Sequence, residues 1–135
     1  MHTQSHKKTI LIVDDNVQIL HALQIRLESE NYNVEVAHDC LSGELKAREI
    51  KPDIVLLDIN LPGANGFTLA EKIDMSCRKD VKKIFMTASR DESFPIRAMR
   101  CGAVDYLEKP FSSEALIEMI DCTASGHPRY NKMFV

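Results

Sequence analysis

Ile54, Val55, Leu56 and Leu57 form an unbroken apolar run that ends on a single carboxylate, Asp58. A strand without polar alternation belongs in a sheet covered on both faces, which calls for helices on either side. After Asp58 the chain turns through Pro62-Gly63 and Asn65-Gly66, so the acid stands where a buried strand emerges into a loop. In an open α/β sheet that edge binds ligands. A lone Asp there serves equally well as a helix or turn cap, so a functional reading needs other carboxylates to converge on it.

The same pattern recurs along the chain. Thr9 to Val13 is a β-branched apolar run ending in Asp14-Asp15-Asn16, and Val17, Leu20, Gln24 and Leu27 follow at helical spacing. Val34 to Ala37 reads as a second strand. A helix near 40–50 follows, with Leu41 and Leu45 inward and Pro52 stopping it. Leu69, Ile73 and Cys77 mark a third helix, and Lys83 to Thr87 a fourth strand. Pro95 is comfortable only in a helix's first turn, which makes Ser93 the N-cap of a short helix from about Phe94. Gly102 suits the left-handed position that ends it, and Val104 to Leu107 forms a fifth strand running into Glu108-Lys109-Pro110. Ser112 caps a last helix with Leu116, Met119, Ile120 and Thr123 on one face.

Five such units imply a parallel sheet with right-handed crossovers, and the economical topology is flavodoxin-like, strand order 2-1-3-4-5 with helices on both faces. Strand one then lies beside strand three, so Asp14, Asp15 and Asp58 emerge together, on strands ~4.8 Å apart. Three crowded acids raise at least one pKa unless a cation sits among them. Oxygen ligands without His or Cys point to a hard cation, Mg²⁺ or Mn²⁺. Thr87 ends strand four and Lys109 ends strand five, roughly 10 Å from strand three and largely within reach of its side chain. Singly they read as a cap and a surface charge. Jointly, a carboxylate, a cation, a hydroxyl and an ammonium can accept a phosphoryl group.

Bulk properties agree. At 135 residues with 44% apolar content the chain suits one domain with one core. A net charge of −3 and a pI near 5.9 argue against broad contact with nucleic-acid backbones, and Lys7-Lys8 and Arg78 to Lys83 read as solvated surface. Four scattered cysteines without a CxxC suggest neither zinc nor disulfides and fit a reducing cytosol. No apolar run approaches the ~18 residues of a membrane span, so a soluble, cytoplasmic protein is expected.

The segments ILIVDDN, IVLLDINLPGANGF, FMTAS and GAVDYLEKPF, in this order and spacing, resemble the response-regulator receiver domain of two-component signalling, of the single-domain, chemotaxis-regulator-like kind. The resemblance covers 8–123 and leaves 1–7 and 124–135 as tails. It implies that Asp58 is the phosphoacceptor and that Asp15, Asp58 and the backbone carbonyl of Asn60 bind Mg²⁺, with Asp14 acting through water. It further implies that Thr87 and Lys109 contact the phosphoryl group, that Ala88 leaves access to it, and that Asn60 and Ser89 tune its lifetime. Tyr106 would be the switch residue, and Lys109-Pro110 a cis bond. The implied protein is a phosphoacceptor regulator rather than an enzyme. Its partners would be a sensor histidine kinase or histidine phosphotransfer protein and a downstream output, with no direct nucleic-acid or membrane contact, as a monomer or phosphorylation-dependent dimer. Pro95 departs from the family pattern and leaves the fourth helix's length and orientation open.

Three alternatives stand beside this. The chain could be the receiver of a larger DNA-binding regulator or hybrid kinase. A Mg²⁺-dependent aspartyl phosphatase of the haloacid-dehalogenase type wants a second carboxylate where Asn60 stands. A flavodoxin wants a hydroxyl- or glycine-rich phosphate loop where Asp14-Asp15 would repel the phosphate.

Overall fold

The computed structural model describes residues 7–61, 64–77, 80–88 and 93–126. Strands β1 (Thr9–Val13), β2 (Asn33–Ala37), β3 (Ile54–Asp58), β4 (Lys82–Thr87) and β5 (Asp105–Glu108) alternate with helices α1 (Val17–Glu28), α2 (Cys40–Ile50), α3 (Gly66–Ser76), α4 (Phe94–Arg100) and α5 (Ser113–Ala124). The five strands form one parallel sheet in the order β2-β1-β3-β4-β5. A two-residue antiparallel ladder, Asn60–Leu61 against Ala64–Asn65, follows β3.

Alternate residues of each central strand feed two cores. Ile10, Ile12, Ile54, Leu56, Ile84 and Met86 pack with Leu20 and Leu27 of α1 and Leu116, Met119 and Ile120 of α5. Leu11, Val13, Val55, Leu57 and Phe85 pack on the opposite face with Ala47 of α2, Leu69, Ala70 and Ile73 of α3, and Phe94 and Ala98 of α4. This double coverage is why β3 reads as a continuous apolar run. Val13 pairs with Leu57 in register, so Asp14 and Asp58 leave the sheet side by side.

Several expectations need correction. Leu41 and Leu45 do not face inward: they are 68% and 50% exposed. The inner face of α2 is built instead from Gly43 and Ala47, and a Cβ at Gly43 would lie 3.2 Å from both Leu69 and Val13 side-chain carbons. The helix approaches too closely for leucine. Val17 is likewise exposed, because it sits in the first turn of α1. Lys83 is not solvated surface; it is 4% exposed, shares its strand face with Phe85, and pairs with Asp74 at 2.6 Å. The fifth strand runs one residue later than expected. Ser93 occupies the N-cap position of α4, but with helical backbone and no side-chain capping bond. Arg78 and the Pro62-Gly63 turn lie outside the described residues.

Asn16, Asp39, Asn65 and Ser112 cap the other four helices through side-chain acceptors, and Gly102 takes the left-handed conformation at φ +76°. All four cysteines are free thiols.

Candidate functional site

The site forms where β1, β3, β4 and β5 end. Asp14 is fully buried; its amide donates to the Ala37 carbonyl, and its Oδ1 accepts from the Asn16 amide at 2.9 Å. Asp15, next in the chain, is exposed. Asp58 is 5% exposed, and its Oδ1 accepts from the Asn60 amide at 3.0 Å. Carboxylate oxygens of Asp14, Asp15 and Asp58 all lie within 4.8 Å of one another.

Lys109 completes the cluster. Its Nζ donates to Asp58 Oδ2 at 3.0 Å and to Asp14 Oδ2 at 2.7 Å. The reach is set by the backbone, because the Lys109 amide donates to the carbonyl of Thr87 at 2.7 Å and fixes the end of β5 to that of β4. Thr87 is fully buried and Ala88 is exposed. The Lys109-Pro110 bond is cis. Tyr106 is half-buried against α4, and Ser89 lies outside the described residues.

Burial pushes the Asp58 carboxyl above its ordinary pKa. The Asn60 amide and the Lys109 ammonium pull the other way without reversing this, and Asp14 repulsion adds the smallest push. The crowded acids thus do raise one pKa, but chiefly through loss of solvent rather than through repulsion. Burial also works against the Lys109 ammonium, yet its bonds to Asp14 and Asp58 outweigh it and raise the pKa.

Three carboxylates less one ammonium leave two negative charges, which suits a divalent cation. Oxygen atoms on one Mg²⁺ lie up to ~4.2 Å apart, given Mg–O distances near 2.1 Å, so the observed spread needs little adjustment. The donor set contains only oxygen. The three carboxylates match the Mg²⁺ site of receiver domains.

Sequence reasoning missed two parts of this site. No motif marks the contact of Lys109 with Asp14, since the family resemblance ties Lys109 only to a phosphoryl group. Gly66 reads in the sequence as a turn residue, yet it opens α3 with its amide donating to the Ile59 carbonyl at 2.7 Å. A Cβ there would meet the Asp58 carbonyl oxygen at 2.5 Å. Nothing local in the sequence signals that approach.

The chain matches the response regulator receiver domain family over residues 10–121 and belongs to it. It is a phospho-accepting receiver domain of two-component signalling, a regulatory phosphoacceptor rather than an enzyme in the usual sense. It is 34% identical over 118 residues to protein PilH of Pseudomonas aeruginosa, covering 87% of this chain and 98% of that protein. It is also 34% identical over 128 residues to the transcriptional regulatory protein KdpE of Staphylococcus aureus, covering 93% of this chain and 54% of KdpE. The chain therefore spans about half the length of KdpE, and likewise of RpaA from Synechocystis. Among solved structures, a CheY-like receiver domain protein from Methanospirillum hungatei superposes with a TM-score of 0.85 at 33% identity, covering 90% of this chain and 97% of that one. The non-phosphorylated HemR receiver domain from Leptospira biflexa gives 0.82 at 34% identity, covering 88% and 95%. Receiver domains typically partner histidine kinases or phosphotransfer proteins and an output. Among the described residues no helix is long and apolar enough to cross a membrane.

Proposed function

We propose that Asp58 is the phosphoacceptor of a switch spanning residues 8–123, loaded by a sensor histidine kinase, a histidine phosphotransfer protein or a small phosphodonor. The observation that carries this is the convergence of Asp58 with Asp14, Asp15 and Lys109 at one sheet edge. A carboxylate oxygen of Asp58 forms the new P–O bond in line as the bond from phosphorus to the donor's imidazole nitrogen breaks, and the imidazole leaves with the electron pair. Lys109 offsets charge on the phosphoryl oxygens, and Thr87 donates its hydroxyl to one of them. Asp15, Asp58 and the Asn60 carbonyl would hold Mg²⁺, with Asp14 acting through water; bound there, the ion neutralises charge on the transferring group.

Ala88, small and exposed, leaves the approach open. Asn60 and Ser89 are assigned to tuning the hydrolytic water, Tyr106 to the switch, and Pro110 to orienting the loop after Lys109. This reading places the protein in the cytoplasm with the ATP-dependent kinases, as a monomer or a dimer formed on phosphorylation. The nearly full coverage of PilH supports a free-standing regulator. The half coverage of KdpE supports a second reading, the receiver portion of a longer DNA-binding regulator; the coding sequence after Val135 decides between them.

The test is incubation with labelled acetyl phosphate and Mg²⁺. One acid-stable, base-labile phosphate is expected in the wild type and none in Asp58→Asn or Asp15→Asn. Normal labelling of Asp58→Asn would overturn the assignment.

A further inference from the structure

Leu41 and Leu45 stand one turn apart on α2, and both are left in water, at 68% and 50% exposure. Gly43 and Ala47 form the buried face of the same helix, so the leucines lie on the side turned away from the sheet. Arg48, one turn past Leu45, continues this outward stripe with Glu49 beside it, and both are exposed. The other charged residues of α2 are already engaged, Glu44 with Lys72 at 4.0 Å and Lys46 with Glu35 at 3.2 Å. Among the described residues Arg48 and Glu49 make no ion pair.

At the start of the helix stand exposed His38 and the N-cap Asp39, whose charged atoms lie 3.5 Å apart with both side chains open to solvent. Two pairs of charged residues thus bracket one outward apolar stripe in mirrored order, His38-Asp39 before the leucines and Arg48-Glu49 after them. A two-fold axis perpendicular to α2, passing between residues 43 and 44, sets Asp39 of one copy against Arg48 of the other and His38 against Glu49. Leu41 then falls within one residue of the other copy's Leu45, ~1.5 Å along the axis. One operator therefore matches apolar to apolar and acid to base, which is the self-complementarity that an isologous contact requires. The two helix dipoles also run in opposite directions.

We propose that the outer face of α2 is a homodimer surface, covered by a second copy of this chain packed antiparallel on Leu41 and Leu45, with Arg48 and Glu49 against Asp39 and His38. The contact is made by one helix of 11 residues, only ~16 Å long. It falls short of the roughly 1,200–2,000 Å² of a standard interface, so the dimer is weak and reversible. As the crossover between two parallel strands, α2 runs against the strand direction. The two-fold axis therefore turns the two carboxyl edges of the sheets to opposite ends of the dimer. Both Asp58 sites stay open, and the association belongs to the resting protein, separate from any dimer formed on phosphorylation.

The experiment follows sedimentation equilibrium and NMR translational diffusion of the full chain, without phosphodonor, from micromolar to millimolar concentration. A monomer–dimer equilibrium is expected, weakened by salt, with concentration-dependent amide shifts confined to α2 and its two ends. Leu41→Gln combined with Leu45→Gln should leave a monomer throughout. His38→Glu sets two like-charge pairs against Glu49 and should weaken association roughly threefold or more; adding Glu49→Lys should restore it, a recovery specific to this register. Amide spectra unchanged away from α2 show that each variant keeps the fold. A wild type that stays monomeric at millimolar concentration overturns the proposal, as does a dimer that survives loss of both leucines or fails to recover in the double charge variant. Association seen only with beryllium fluoride and Mg²⁺ also overturns it. None of these outcomes bears on Asp58, whose labelling is a separate test.

Discussion

Lys109 Nζ lies 3.0 Å from Asp58 Oδ2, so the residue that closes the fifth strand directly neutralises the acid that closes the third. The same ammonium stands 2.7 Å from Asp14 Oδ2. It therefore acts as an internal counter-cation for two buried carboxylates, a role partly interchangeable with a divalent ion.

Lys109→Met tests that role. Removing one partner of a buried pair costs about 3–5 kcal/mol when the remaining charge has nowhere to go. Asp58 can escape part of this by taking a proton, since burial already raises its pKa. Urea unfolding in EDTA should show a clear loss of stability, and Mg²⁺ should recover most of it because the ion binds the folded state alone. The variant should also bind Mg²⁺ more tightly than wild type. An equal loss with and without Mg²⁺ would assign the stabilisation to the aliphatic stem of Lys109.

Much of this site was legible because buried strands announce themselves. Ile54 to Leu57 is apolar without interruption since both sheet faces are covered, and the acids at the ends of β1 and β3 follow once the strand order is known. What escaped reading depends on distance rather than pattern. Leu41 and Leu45 look like a helix stripe, but α2 packs so closely that small Gly43 and Ala47 serve as its inner face. Lys83 sits in a basic stretch, yet strand alternation turns it inward with Phe85. The approach of Gly66 to Asp58, and that of Phe94 to Tyr106, depend on how neighbouring elements pack, and no periodicity marks them.

Gly66→Ala weighs two opposing effects. Alanine improves helix propensity by up to about 1 kcal/mol in a helix interior, less in a first turn. Against this, its Cβ would sit 2.5 Å from the Asp58 carbonyl oxygen and 3.0 Å from the Ile59 Cα, both backbone atoms that no rotamer change can move. Overpacking of this kind costs about 1–3 kcal/mol, so the clash wins. Chemical denaturation should show net destabilisation, and calorimetric titration should show Mg²⁺ affinity reduced severalfold as the end of β3 shifts. Unchanged affinity would mean that the strain is absorbed by α3.

Asp39 gives stability a pH dependence. Its Oδ1 accepts from the Ser42 amide at 2.8 Å and from the Ser42 hydroxyl at 2.7 Å, and these bonds, the backbone one first, hold its carboxyl below the ordinary value of 3.8. A depressed folded-state pKa stabilises the fold above the unfolded value, and the contribution disappears as pH falls through the lower, folded one. Asp39→Ala should therefore unfold at lower urea than wild type at neutral pH, with the gap narrowing as pH drops below 3.8. Asp39→Asn, which keeps a capping acceptor, should lose the pH dependence more than the stability. A gap for Asp39→Ala that is constant with pH would show that the ionised form is not what matters.

Lys83 and Asp74 form a pair whose members are unequally placed: their charged atoms are 2.6 Å apart, with side chains 5% and 50% exposed. Asp74→Ala leaves an ammonium enclosed on the inner face of β4, and the expected cost is about 3–5 kcal/mol. Lys83→Met keeps most of the stem's apolar packing and removes the buried charge, while Asp74, half in water, simply rehydrates. Its expected cost is below ~1 kcal/mol, and a small gain is equally compatible with replacing a buried charge by an apolar group of similar volume. The double variant should resemble Lys83→Met rather than the sum of the two, because the penalty in Asp74→Ala belongs to the stranded ammonium. Urea unfolding of the three variants at neutral pH measures all of this. Equally small losses for both single substitutions would show that the Lys83 ammonium reaches solvent, and that the pair is a surface contact in energetic terms despite its burial.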